Sequence, residues 1–210
     1  IDFQNIYDVW VWVATYSSNI YKALKMPYIG SFNHMWSLAV EEQFYLFWPF
    51  LILLIPRNHT EKVIFSLIIS SLFFKIIYWC SYGPGPAITT LVISCGDTLG
   101  FGALVAYLQL YKPKVLVGIN KVPFIVFISF LPFAFLVVFP LGPKFISQAL
   151  SNFIFSLFAF TIVCKAAEQS FKYPLKFILE SKLVNYIGKI SYGIYLYHLF
   201  MPDLYNQFRH

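Results

Sequence analysis

Long apolar segments separated by short polar connectors dominate the hydrophobic pattern of this chain. A helix needs roughly 20 mostly apolar residues to cross the hydrocarbon core of a bilayer. Seven segments approach this length, and the pattern predicts spanning helices over residues 6–24, 38–55, 63–80, 87–111, 122–140, 149–166 and 183–208. The first segment is the least regular, because it contains Asp8, Ser17, Ser18 and Asn19.

The apolar runs favour helices over a closed β-barrel, the other architecture that satisfies the backbone inside lipid. Barrel strands alternate polar and apolar residues, whereas residues 64–74 and 124–139 are almost continuously apolar. The sequence therefore predicts an all-α fold, a polytopic transmembrane helical bundle with about seven spans. We interpret residues 1–210 as one transmembrane domain.

Charged residues make up only 11% of the chain, against about 25% in an ordinary globular domain. This is too few to cover a water-soluble protein of this size, so the lipid bilayer is the expected environment. The net charge of +6 does not indicate nucleic-acid binding, because the basic residues occur in short clusters between the apolar segments.

The basic residues also predict an orientation. The loops after the second, fourth and sixth spans hold nine Lys or Arg residues, whereas the other loops and the tail hold four. The positive-inside rule then places the first set of loops in the cytoplasm and the loop before Trp36 on the outer side.

Several kinds of chemistry are excluded by the motifs that the sequence lacks. It contains no phosphate-binding loop, nucleophile elbow or zinc-protease motif. Cys80, Cys95 and Cys164 are far apart in apolar surroundings, and their spacing indicates neither a disulfide framework nor a metal site. We expect all three to be buried thiols, and we predict no metal and no bound cofactor.

The most informative polar residues open the second span. If the helix begins by residue 34, one of its faces carries His34, Leu38, Glu41 and Tyr45. Ionisable groups at membrane depth normally face a cavity or a partner and mark a functional site. The alternative is that Glu41 and Glu42 lie in the first helical turn at the water interface, where a carboxylate meets the favourable end of the helix dipole.

A second polar group lies in the last span. Ser191, Tyr195 and His198 are spaced to line one helical face. A hydroxyl, a phenol and an imidazole in a row can bind a polar ligand. Equally, they can form hydrogen bonds that hold neighbouring helices together.

Asp97 lies inside the predicted fourth span, among Gly96, Gly100 and Gly102. A carboxylate at that depth is costly unless it is paired or solvated. Lys75 of the third span is a candidate partner, although a long Lys side chain can also reach the interface. The glycines would let a second helix approach closely.

Residues 34–46, which read HMWSLAVEEQFYL, resemble the most characteristic segment of the integral-membrane acyltransferase 3 family, to which bacterial surface-polysaccharide O-acetyltransferases belong. Residues 19–21 resemble the lead-in to that segment, residues 97–104 its middle helix, and residues 190–198 its late segment. The matches occur in the expected order and span nearly the whole chain. The resemblance implies transfer of an acetyl or other acyl group from a cytoplasmic acyl-CoA, such as acetyl-CoA, to a hydroxyl of a cell-surface carbohydrate.

The resemblance also implies site residues and a location in the inner or plasma membrane. Supporting catalytic roles are expected for Glu41 and His198. Substrate contacts are expected for His34, Trp36, Ser37, Tyr45, Asp97, Ser191 and Tyr195.

Family members carry the His proposed as catalytic on a helix upstream of the first matching segment, and they continue beyond the last one. This chain starts at Ile1, so we expect it to be an inactive piece of a longer protein. Glu41 would then orient or charge-stabilise that upstream His, as a carboxylate does in a catalytic triad.

A transporter without chemistry is the alternative function. Buried Asp, Glu, His and Tyr residues also build proton or substrate pathways. Transporters of this kind are typically built from inverted repeats with broken helices in corresponding halves, and the sequence shows no such symmetry.

Overall fold

The computed structural model of the protein describes residues 3–25, 32–121, 131, 144–169, 171–202 and 205. No β-strand occurs in these ranges, which confirms the prediction of an all-α fold for them. We number the helices in chain order: α1 Phe3–Ala14, α2 Ser18–Lys25, α3 Met35–Leu54, α4 Thr60–Tyr82, α5 Ala87–Thr90, α6 Gly96–Tyr111, α7 Pro113–Lys121, α8 Lys144–Ala167, α9 Leu175–Leu179 and α10 Lys182–Tyr197.

Among the residues that the structure describes, two stretches are long and apolar enough to cross a bilayer. They are Met35–Leu54 and Arg57–Tyr82, in which a 3-10 turn leads into α4. Asn152–Ala167 of α8 is also apolar but shorter. The predicted span over residues 122–140 lies outside the described residues, apart from Leu131. The total of seven spans therefore stays a prediction.

The predicted first span is not one continuous helix. α1 ends at Ala14, Tyr16 adopts a positive φ of 51°, and α2 begins at Ser18. Thr15 Oγ1 donates to the Val11 carbonyl at 2.7 Å, and Ser17 Oγ donates to the Trp12 carbonyl at 3.3 Å. Because such hydroxyls compete with the backbone for helical carbonyls, they favour a break here.

The predicted fourth span is also interrupted. Residues 91–95 form turns between the short α5 and α6. Asp97 consequently lies in the first turn of α6 and not deep within a continuous helix. There its Oδ1 accepts a hydrogen bond from the Thr98 backbone N–H at 3.0 Å, and the carboxylate meets the positive end of the helix dipole.

The hydrophobic core is centred on α4 and α6, which form the most extensive helix pair among the described elements. Gly100 makes their close approach possible, because a Cβ atom there would lie 2.5 Å from Ile68 Cγ1. A Cβ atom at Gly96 would lie 3.0 Å from Leu67 Cδ1. The prediction that the glycines near Asp97 admit a neighbouring helix is confirmed for Gly96 and Gly100 but not for Gly102, where a Cβ atom would meet nothing within 4 Å.

The ends of the core helices are fixed by local chemistry. Gly83, with φ 74°, ends α4 in a conformation that side chains disfavour. At the opposite end of the pair, Lys112 Nζ donates to Glu61 Oε2 at 2.5 Å, and this hydrogen bond raises the pKa of Lys112. These contacts anchor the start of α4 to the end of α6.

The cysteines differ from one another in exposure. Cys164 is buried, Cys95 is partly exposed and Cys80 is exposed. The expectation of a buried thiol was therefore wrong for Cys80. It continues, at helical spacing, the exposed apolar row of Phe73, Ile76 and Ile77 on α4.

Candidate functional site

A cavity of about 340 Å³ lies where α3, α4, α5, α6 and α8 converge. Apolar side chains form part of its wall, and the break before α6 contributes backbone turns. The polar residues of the wall are Trp36, Ser37, Glu41, Lys75, Thr89, Ser94, Cys95, Asp97, Thr98, Asn152 and Ser156. Concave sites of mixed apolar and polar lining are where small ligands usually bind.

Lys75 and Asp97 form a buried ion pair in this wall. Lys75 Nζ lies 2.6 Å from Asp97 Oδ2, and the two side chains are only 4% and 1% exposed. Either charge alone would be costly to bury, and the short charge-assisted hydrogen bond compensates both. The structure thus identifies Lys75 as the partner of Asp97. The sequence had left open whether Lys75 pairs with Asp97 or extends to the membrane interface.

Hydroxyl groups connect the helices around the ion pair. Thr98 Oγ1 and Ser156 Oγ are 2.8 Å apart, which joins α6 to α8. Ser71 Oγ donates to the Ser94 carbonyl at 2.9 Å, which joins α4 to the turn before α6. The two bonds fix the cavity wall on both sides of Asp97.

Glu41 reaches the cavity from α3. Its side chain is exposed and lines the cavity, so the expectation that it lies near a cavity is confirmed. α3 begins at Met35 with His34 at its N-cap, which places Glu41 in the second turn. Within the described part of the chain, no hydrogen bond or ion pair of its carboxylate is observed.

The last helix, α10, contacts the start of α3 through a separate polar cluster. Tyr195 Oη donates to the His34 carbonyl at 3.0 Å and also contacts Ser37 Oγ. The buried His34 ring places Nε2 3.1 Å from the Leu196 carbonyl. Its ring also packs edge-on against His198, with centroids 4.9 Å apart.

This arrangement brings together most of the residues predicted for the site, but not all of them. Trp36, Ser37, Glu41 and Asp97 line the cavity, and Tyr195 reaches its edge through Ser37. His34 and His198 pack beside that edge, where their contacts are those of helix-to-helix packing.

Two predicted site residues lie elsewhere. Ser191 is exposed and donates to the Gly188 carbonyl of its own helix at 2.8 Å. Ser191 does not line the cavity, so its expected substrate contact stays a prediction. Tyr45 is 59% exposed and meets Phe44 edge-on, with ring centroids 6.4 Å apart, and it does not line the cavity. It lies one helical turn beyond Glu41, past the end of the cavity wall.

A reciprocal amide pair was missed by the sequence reasoning. Asn19 Nδ2 donates to Gln43 Oε1 at 3.1 Å, and Gln43 Nε2 donates to Asn19 Oδ1 at 2.9 Å. Gln43 also donates to the Tyr16 carbonyl at 2.6 Å, and Asn19 is completely buried. The available signal was the presence of two amides in neighbouring apolar segments, both within the stretches that carried the family resemblance.

No group of three or more His, Cys, Asp or Glu residues is placed to hold a metal ion within the described part of the chain. The functional groups that line the cavity are carboxylates, an ammonium, hydroxyls, a thiol, an amide and the Trp36 indole. Such groups can bind, orient and exchange protons with a polar organic ligand.

Comparison with known proteins gives one family. Residues 3–208 match the family model described as an acyltransferase domain. The chain is 29% identical over 195 residues to a Bacillus subtilis protein named as a peptidoglycan O-acetyltransferase, YrhL, with 83% of this chain and 30% of that protein covered. It is 28% identical over 185 residues to the O-acetyltransferase OatA of Staphylococcus aureus, with 81% and 29% covered. The chain thus spans about a third of the length of these relatives, and no solved structure matches it.

Proposed function

Because this chain belongs to the acyltransferase domain family, we propose that it is part of a multi-pass membrane O-acetyltransferase. The whole protein would take an acetyl or other acyl group from a cytoplasmic acyl-CoA and transfer it to a hydroxyl of a cell-surface carbohydrate. One of the relatives is named for peptidoglycan, and this favours an amino-sugar polymer as the acceptor.

The observation that carries the proposal is the cavity in which Glu41 and the Lys75–Asp97 pair meet between apolar helices. Acceptor and donor on opposite sides of a bilayer require a polar site inside the helical bundle. Buried ionisable groups at such a position are expensive and mark functional pathways. The family match then favours acyl transfer over transport as the use of the site.

The reaction itself needs a base and an oriented hydroxyl. The acceptor oxygen attacks the thioester carbonyl, a C–O bond forms, the C–S bond breaks, and the hydroxyl proton passes through the base to the departing CoA sulfur. The resemblance implies that the base is a His outside these residues. Glu41 would hold or charge-stabilise that His, which is consistent with a carboxylate that lines the cavity without a protein partner among the described residues.

The proposed location is the inner or plasma membrane, with the loop before Trp36 on the outer side. Two spanning stretches and the family support a membrane protein. The asymmetric distribution of basic residues supports the orientation.

The test is to express the full-length protein in a bacterium that lacks O-acetylation of its surface polymers. Cells supplied with labelled acetyl groups should accumulate label in surface carbohydrate, and mild alkali should release it as acetate. Label that never becomes ester-linked while sugar or acetate crosses the membrane would instead indicate transport and would refute the proposal.

A further inference from the structure

We propose that the cavity is the acceptor site and that it is built for an uncharged sugar ring, which Trp36, Glu41 and Asn152 hold while Thr98 and Ser156 order its hydroxyls. The acyl-CoA headgroup would bind elsewhere. This inference rests on the proposed function, and it assigns one of the two substrates to one place in the molecule.

The charge of the cavity is the first argument. Lys75 is the single basic side chain among the described residues that line it, and Asp97 already neutralises Lys75 at 2.6 Å. Glu41 adds a further carboxylate. Coenzyme A thioesters carry several phosphate charges, and proteins bind phosphate through Arg, Lys or backbone N–H groups. A cavity whose ionised groups sum to a negative charge disfavours such an anion.

The remaining lining has the composition that a neutral polyol requires. Ser156 Oγ donates to the Asn152 carbonyl at 2.9 Å and therefore accepts the Thr98 hydroxyl proton at 2.8 Å, which orients both hydroxyls. Both oxygens keep acceptor capacity for sugar hydroxyls. Asn152 supplies an amide, and Glu41 supplies an acceptor for a sugar hydroxyl. Such groups hydrogen-bond hydroxyls without needing an opposite charge on the ligand.

The aromatic and apolar part of the wall completes the site. Trp36 lines the cavity, and Lys22 Nζ lies 5.5 Å from its ring centroid in a cation–π contact. Lys22 is fixed in turn by Asn33 Oδ1 at 3.1 Å. A sugar ring presents C–H groups on its faces, and the electron-rich face of an indole attracts such groups. Trp36 thus offers a positioned surface for one face of the ring.

The size and place of the cavity agree with this assignment. Its volume of about 340 Å³ is at the lower end of the range of about 300–1,000 Å³ for ligand pockets. That suits one sugar unit with the end of an acyl chain better than a whole nucleotide thioester. The residues Trp36 and Ser37 open α3 next to the loop that the basic-residue pattern places outside, which is the side from which a surface carbohydrate arrives.

The kinetic test uses the full-length protein, an uncharged N-acetylhexosamine oligosaccharide as acceptor and acetyl-CoA as donor. Trp36→Leu should raise the KM for the oligosaccharide about tenfold or more while the KM for acetyl-CoA changes less than about twofold. Trp10→Leu is the matched control, because Trp10 is 57% exposed on α1 and does not line the cavity. It should alter neither constant. A rise in the KM for acetyl-CoA upon Trp36→Leu would overturn the assignment.

A binding test covers the case in which Trp36→Leu has no measurable activity. Thr98→Cys places a thiol in the cavity wall of full-length protein whose native cysteines are replaced, and Gly102→Cys places one a turn later at an open position. The oligosaccharide should slow maleimide modification of Thr98→Cys and leave Gly102→Cys unaffected, whereas acetyl-CoA should protect neither.

The two proposals fail in different ways. Protection of Thr98→Cys by acetyl-CoA, or no protection by the oligosaccharide, would overturn the acceptor site even if acyl transfer is observed. Protection by the oligosaccharide in a protein that forms no ester would keep the sugar site and overturn the proposed function.

Discussion

Lys75 of α4 donates a 2.6 Å hydrogen bond to Asp97 in the first turn of α6, and both side chains are almost fully buried. Removing one partner of a buried pair leaves an uncompensated charge, which typically costs about 3–5 kcal/mol. Asp97→Leu should therefore destabilise the protein strongly, as measured by its unfolding midpoint in detergent.

The double variant Lys75→Met with Asp97→Leu is the control for this pair. It replaces both charges by apolar groups of similar length, so it should recover most of the stability that Asp97→Leu loses. A double variant as unstable as the single one would show that the carboxylate acts mainly through the α6 backbone.

Glu41→Gln should reduce acyl transfer by the full-length protein on the order of tenfold or more, with normal membrane abundance. The substitution keeps the shape of the side chain and removes only the charge that faces the cavity. Glu42→Gln is the neighbouring control, since Glu42 does not line the cavity. Equal activity of both variants and wild type would support the interfacial reading of the two carboxylates.

Gln43→Leu should lower stability by about 1–3 kcal/mol, the usual cost of leaving a buried hydrogen-bonding group unpaired. The reason is that Asn19, which is completely buried, loses its reciprocal partner. The same substitution at the exposed Gln109 should be nearly neutral. Thermal unfolding of both variants in one detergent measures the contrast, and equal midpoints would refute it.

Tyr195→Phe should weaken the attachment of α10, because it removes the hydroxyl that bridges to His34 and Ser37. His198→Gln should keep substantial activity and His198→Leu should keep less, since the His198 ring contacts the Tyr195 carbonyl and the His34 ring. Proteolysis of α10 and acyl transfer at matched abundance are the measurements. Loss of activity in both His198 variants with an intact α10 would indicate direct participation in the reaction.

Gly100→Ala should destabilise the α4–α6 contact by about 1–3 kcal/mol through overpacking. The new methyl group would lie 2.5 Å from Ile68, whereas at Gly102 it would meet nothing within 4 Å. Gly102→Ala on the same helix should instead be neutral or slightly stabilising, since Ala favours a helix over Gly. The unfolding midpoints of Gly100→Ala and Gly102→Ala measure this difference in stability.

Sequence alone predicted the features that follow from composition and short-range spacing. Apolar length predicted α3, α4 and α8, and the glycines around Asp97 predicted close helix packing there. Asp97 needed a partner for energetic reasons, and Lys75 was the basic residue at comparable depth. The resemblance of residues 34–46 pointed to the helix that carries Glu41.

The features that sequence did not predict depend on local competition or on contacts between distant residues. The breaks at residues 15–17 and 91–95 arise from side-chain and turn hydrogen bonds, which a hydropathy average does not register. The Asn19–Gln43 pair joins two helices across the α2–α3 connection, so neither residue alone indicates it. Helical spacing grouped Tyr45 with Glu41 on α3 and Ser191 with Tyr195 on α10. It does not indicate how far along each helix the cavity extends.

The ion pair between α4 and α6 has a consequence for how the protein enters the bilayer during synthesis. A single Lys or Asp near the centre of a helix opposes insertion by about 2.5–3.5 kcal/mol on biological scales. Because Lys75 and Asp97 neutralise each other only when both helices are present, we expect the buried Lys75 to make insertion of α4 alone less favourable. We therefore expect α4 and α6 to enter the bilayer together as a hairpin, joined by the turn at Gly83 and residues 91–95.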